Sequence, residues 1–234
     1  MEEIERIRRF AEEVLTFQGP SGHPERWLWD KTVRIARNAE ILTKLPELTK
    51  KAQPFDVFCL SAAAYLSDTG YQLYSHTKGK SLSEAILELR GRQLRDYSVQ
   101  RIQEKDAAPL LKDKLDLVCR IIIESESRTA QLTEAKILSD ARLLDEFGAL
   151  GLLQEMNRYF LQGKGVGAFL DGWDRKVEYR YWEARLQEGF HYPSVRRLAQ
   201  NRFAVMEQAV RQLRKEYFAQ DLDNIELESF NPIS

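Results

Sequence analysis

Two aspartates stand where a site could form. Asp68 follows the small, apolar run Ser61-Ala62-Ala63-Ala64-Tyr65-Leu66-Ser67 just before Gly70, and Asp140 lies inside the second apolar run, Glu134 to Asp145. A divalent site that activates water needs several imidazoles or carboxylates converging at about 2.0–2.2 Å, with one position left open. Asp68 and Asp140 supply two donors, and Glu124, Glu126 or Asp30 would complete an oxygen-only set suited to magnesium or manganese rather than zinc or iron. Should a metal bind, the first set to consider is Asp68, Asp140 and Glu124, with Glu126 and Asp30 as the other third donors. Two acids are few for tight metal binding, so the expectation is no cofactor. Without a metal, facing carboxylates repel or share a proton unless a cation such as Arg142, Arg34 or Lys31 enters. Each aspartate also has a structural use, accepting bonds from helix N–H groups or an arginine.

The other reactive residue types point to packing. His23 precedes a proline in a loop, His76 falls in a polar segment, and His191 lies in the turn Gly189-Phe190-His191-Tyr192-Pro193. Cys59 and Cys119 sit in apolar helical patterns without CxxC spacing and read as small buried hydrophobes, which fits a reducing cytoplasm. Gly163-Lys164-Gly165-Val166-Gly167 lacks the GxxxxGK[ST] frame and reads as a connector. Tyr179, Tyr181 and Trp182 are interleaved with both charges and read as a core-and-surface helix or a protein interface.

The elements that must position these residues are helical. Ile4, Ile7, Ala11, Val14 and Leu15 form one stripe on a first helix ending near Gly19-Pro20. Pro24 suits the first turn of a second helix, apolar on more than one side from Trp27 to Leu42. Pro54 opens a third, whose alanines let helix axes approach closely. Tyr71 to Lys80 reads as a loop, and Ser81-Leu82-Ser83-Glu84 as an N-terminal cap. Further helices are expected over Arg92 to Glu104, from Pro109, from Thr133 to near Gly148, over Leu152 to Leu161, over Trp173 to Gln187, and along the stripe Val195 to Tyr217. No alternating strand pattern or fixed repeat appears. The fold class is all-α, a single-domain helical bundle: residues 1–20 pack a helix on the core, 21–219 form the domain, and 220–234 are a tail.

With 234 residues, and 35 Lys+Arg against 36 Asp+Glu, the net charge of −1 gives no reason to expect nucleic acid or a membrane surface as partner. The acidic N-terminus does not read as a secretory signal, and no uncharged apolar run approaches about 18 residues. The expected location is the cytoplasm.

In order and context, these motifs resemble the core of HD-domain phosphohydrolases, specifically the stand-alone bacterial members. That family brings to a metal a first histidine followed by an Arg-Val pair, a His-Asp pair ending an alanine-rich helix, and a late aspartate in a run like Asp-Ala-Asp-x-Leu. By motif, Trp29 takes the place of the first histidine, Ser67-Asp68 that of the His-Asp pair, and Asp140-Ala141-Arg142-Leu143-Leu144 that of the late run, with Arg142 for its second aspartate. Ser125 lies where another histidine often stands, and Phe147-Gly148-Ala149-Leu150-Gly151 matches the family's glycine-bearing continuation. The resemblance spans roughly Gly22 to Leu161. It implies a degenerate HD domain whose vestigial pocket comprises Trp29, Ser67, Asp68, Ser125, Asp140 and Arg142. Such a protein is expected to serve as a ligand-binding or protein-interaction module, taking a small phosphate-containing ligand or a protein partner, with its oligomeric state open. The alternatives are an active metal-dependent phosphohydrolase with an oxygen-rich magnesium or manganese site, and a structural subunit in which Trp29 fills the former metal cavity.

Overall fold

The computed structural model describes residues 2–18, 23–49 and 55–222. In chain order the helices are α1 (Glu2–Leu15), α2 (Trp27–Leu42), α3 (Pro46–Thr49), α4 (Val57–Leu66), α5 (Gly70–Lys78), α6 (Leu82–Glu88), α7 (Gly91–Ile102), α8 (Ala108–Leu111), α9 (Leu115–Glu124), α10 (Thr133–Asp145), α11 (Ala149–Leu161), α12 (Val166–Glu178), α13 (Tyr181–Glu188) and α14 (Pro193–Tyr217). A 3-10 turn, Lys112–Lys114, joins α8 to α9, and two-residue strands, Phe17–Gln18 and Pro24–Glu25, pair antiparallel. The expected all-α architecture is what forms, and no described helix is long and apolar enough to cross a membrane.

α4 runs through the middle. Ala62, Ala63 and Ala64 are wholly buried, and their small side chains let α1, α2, α9 and α10 pack around one short helix. Asp56 starts it, accepting from the Cys59 N–H at 3.0 Å; Pro54 lies outside the described residues, as do Gly19 and Pro20. α2 is buried on two sides, between α4 and α10. It starts at Trp27 rather than at Pro24, because Pro24 pairs with Gln18 in the short strands.

Three expectations are corrected. Tyr71 to Lys80 is not a loop: α5 fills it, because Tyr71 and Tyr74 bury one face of an otherwise polar helix, and Tyr74 donates to Glu88 at 2.8 Å. Gly79, at φ 61°, ends α5 in the left-handed conformation that glycine adopts without steric cost. Trp173 to Gln187 is two helices, broken where Arg180 takes φ 52°. The helix from Pro109 breaks at Lys112, also at positive φ. The cap at Ser81 forms as a complete capping box with Glu84.

Candidate functional site

The α4–α5 turn carries Ser67, Asp68 and Thr69, all buried. Gly70 follows, pressed against α7 so closely that a Cβ there would lie 2.6 Å from the Leu94 carbonyl oxygen and the Ser98 nitrogen. That approach places α7 directly under the turn. The Ser98 hydroxyl donates to the Ser67 carbonyl at 2.7 Å and accepts from the Gly70 N–H at 3.0 Å. Arg95, one turn earlier on α7, donates through Nη1 to the same carbonyl and, at 2.8 Å, to Oδ1 of Asp68.

From Asp68 the charges alternate outward. Lys31 on α2 lies 3.2 Å from Oδ2 of Asp68. Arg95 Nε reaches Glu126 Oε1 at 2.9 Å, and Arg142 on α10 meets the same oxygen at 2.6 Å while donating to the Ser125 hydroxyl at 3.2 Å. The chain Lys31–Asp68–Arg95–Glu126–Arg142 thus holds three cations against two carboxylates. Burial alone would raise the Asp68 carboxyl, but Lys31, Arg95 and Arg142 hold it well below the usual carboxylate range. Glu126, raised by burial and lowered more strongly by Arg142 and Arg95, falls to about 2. Arg142 is lowered from its ordinary value by burial and by Arg95, against the pull of Glu126 and Asp68.

Of the residues the sequence singled out, Ser67, Asp68, Ser125 and Arg142 come together here. Trp29 does not join them. Its indole stacks on Tyr65 at 6.0 Å between centroids, with the Arg8 guanidinium 6.0 Å away. Two residues along a helix turn the side chain by about 200°, so Lys31 faces Asp68 while Trp29 faces α1 and α4. Lys31, two residues on from Trp29, is thus the α2 side chain that reaches Asp68. Arg34 in turn clamps Asp145 through two bonds, at 3.1 and 3.2 Å.

Asp140 is also turned away. It accepts the backbone N–H groups of His191 at 2.8 Å and Tyr192 at 3.0 Å, at the start of α14. Burial pushes its carboxyl up to about 7, the two N–H bonds and Arg196 only partly opposing that. Glu124 is bound to the N–H groups of Gln131 and Leu132, both at 3.1 Å, and Asp30 is exposed. The proposed metal set Asp68, Asp140 and Glu124 is therefore corrected, since two of its three members satisfy backbone donors elsewhere. Among the described residues no group of three or more His, Cys, Asp or Glu side chains is placed to hold a metal. Lysine and arginine offer only donors, so the side chains around Asp68 do not fit a metal. His23 and His76 are exposed, the latter on α5.

Two openings flank the charge cluster. Lys31 lines a cleft of about 450 Å³ together with residues of α11, α12 and α13; Ser125, Glu126 and Arg142 line a smaller one of about 240 Å³. Lys31 and Arg142, two of the three cations the sequence offers as partners for the aspartates, do enter the cluster, whereas Arg95 has no signal in the motifs. For Arg95 no local signal exists, because tertiary packing of α7 against α5 and α9, with the close approach at Gly70, brings it to the turn.

This arrangement can be set beside known proteins. No protein-family profile matches the chain. YpgQ of Bacillus subtilis is 26% identical over 223 residues, covering 92% of this chain and 94% of YpgQ. The crystal structure of YpgQ in complex with ADP superposes with a TM-score of 0.58 at 20% identity, covering 92% of this chain and 95% of that one. An HD-superfamily hydrolase from Bacillus thuringiensis superposes with a TM-score of 0.52 at 20% identity, covering 93% and 98%. The fold is HD-domain-like. Within this HD-like fold, α4 is the alanine-rich helix that ends at the Ser67-Asp68 turn, and Lys31 and Arg142 reach the charge cluster from α2 and α10.

Proposed function

We propose that this protein is an HD-fold module that binds a phosphate-containing small molecule without a metal and does not act as a metal phosphohydrolase. One observation carries the reading: Lys31, Arg95 and Arg142 surround Asp68 and Glu126 where an HD hydrolase would need metal ligands. A divalent ion in such a site would supply positive charge to phosphate oxygens; fixed ammonium and guanidinium groups supply the same charge as hydrogen-bond donors. The cluster keeps a positive excess of one, which favours an anion. The ADP bound to YpgQ supports a nucleotide as the kind of ligand.

No activated water is provided for. Asp68 and Glu126 are poor bases because the surrounding cations hold both well down, and Asp140 faces the α14 terminus. The test is metal analysis of the purified protein together with a phosphohydrolase assay on nucleotides and phosphate esters in added manganese or magnesium. Substoichiometric metal and no turnover are expected; a bound divalent ion at one per chain, or metal-dependent hydrolysis, would refute the reading.

A further inference from the structure

The two openings differ in how their charges are balanced. Every cation lining the smaller one has a carboxylate partner: Arg128 pairs with Glu188 at 2.6 Å, Arg142 with Glu126, and Arg185 with Glu146. The 450 Å³ cleft is different. Its two acidic side chains, Glu146 and Glu155, are taken up by Arg185 and Lys176, and Lys31 is held by Asp68. Arg90, Arg158, Lys164 and Arg175 remain, and none has a carboxylate within ion-pair distance among the described residues.

Four cations without a carboxylate partner among the described residues, from the α6–α7 junction, α11, the α11–α12 loop and α12, thus line one concavity. Its volume falls in the range of small-molecule sites, roughly 300–1,000 Å³, and Trp27 and Tyr181 contribute aromatic wall. A single phosphate held near Lys31 would use few of these groups.

We infer that the cleft selects a small organic anion carrying at least two phosphates, of nucleoside diphosphate size, with Arg158 and Arg175 holding the phosphate distal to the one beside Lys31. This rests on the reading of the protein as a phosphate-ligand module and adds to it the number of phosphates and the residues that count them. Arginine suits the task because its fork pairs with phosphate oxygens in two places at once.

The experiment is calorimetric titration of ADP and AMP into the full chain in EDTA, for wild type, the double variant Arg158→Gln/Arg175→Gln, and the control Arg211→Gln on the exposed face of α14. Circular dichroism and thermal melting confirm that each variant is folded. ADP is expected to bind at least about tenfold tighter than AMP, the size of one good charge-assisted contact. The double variant should lose that margin and the control keep it. A wild type that binds both nucleotides equally, or a double variant that retains the margin, overturns the inference while leaving the phosphate-module reading standing. Binding of neither nucleotide overturns both.

Discussion

The ammonium of Lys31 lies 3.2 Å from the carboxylate of Asp68, a residue 1% exposed, so a side-chain cation stands directly beside the buried acid. Burying an ion pair gains little over an apolar pair, but removing one partner leaves a charge stranded. Asp68→Asn should therefore cost about 3–5 kcal/mol, because Lys31 and Arg95 lose the same partner together. Urea denaturation at pH 7 measures it; a loss under about 1 kcal/mol, the range of exposed pairs, would show the cluster to be solvated.

The same group sets the acid limb of stability. Asp68 and Glu126 have folded pKa values below their ordinary ones. Each therefore adds stability that is complete above about pH 4 and is lost as pH falls toward the folded values. The wild type should lose stability steeply below pH 4, and Glu126→Gln should be destabilised at pH 7 yet flatter there. Melting temperatures across pH 2–6 decide this.

Asp140 has the opposite sign. Its folded pKa of about 7 lies above the ordinary value of about 3.9. Its stabilisation is thus complete below pH about 4 and is lost as pH rises through about 7, an order-of-magnitude effect of up to about 4 kcal/mol. Asp140→Asn keeps an oxygen for one of the two N–H donors and removes the titration. Its melting temperature should be flatter than that of wild type between pH 4 and 8. Parallel profiles would mean that the two N–H bonds keep Asp140 ionised throughout.

Trp29→His tests the register of α2. The indole is 2% exposed and stacked on Tyr65, so its loss should cost about 3 kcal/mol by analogy with other large-to-small core changes. No manganese should be taken up, because the new imidazole would face α1 and α4. Metal uptake by this variant would place position 29 in the pocket after all.

Gly70→Ala probes how the site is assembled. The added methyl would meet the Leu94 carbonyl and the Ser98 nitrogen, both backbone atoms that cannot swing aside. Overpacking of this kind costs about 1–3 kcal/mol, and separating α5 from α7 would also pull Arg95 from Asp68. A loss of both stability and ADP affinity is expected. Unchanged values for both would mean that α7 adjusts freely.

The sequence carried the fold further than the site. The alanine run, the small residue before Asp68 and the glycines after Asp145 are local signals, and they locate α4, its turn and the α10–α11 boundary. Helical phase on α2 is not local in that way. Val33 and Ile35 both follow plausible stripes, and only the packing between α4 and α10 decides that Lys31 rather than Trp29 faces Asp68. Arg95 is illegible because its place beside Asp68 comes from the tertiary packing of α7 on α5 and α9. Asp140 misled because an aspartate that caps the start of α14, more than fifty residues on, looks in sequence like one that binds a ligand. The helix α5 was hidden for a related reason, since its two buried tyrosines sit in an otherwise polar segment.

The most direct measurement is the affinity for ADP by titration calorimetry in EDTA and again in millimolar manganese. If side-chain cations provide the positive charge, the two dissociation constants agree within about twofold, well below the 1.4 kcal/mol of a tenfold change, and Lys31→Met, which removes the cluster cation that lines the larger cleft, abolishes binding in both. Binding that appears only with manganese, or that survives loss of Lys31, contradicts the account.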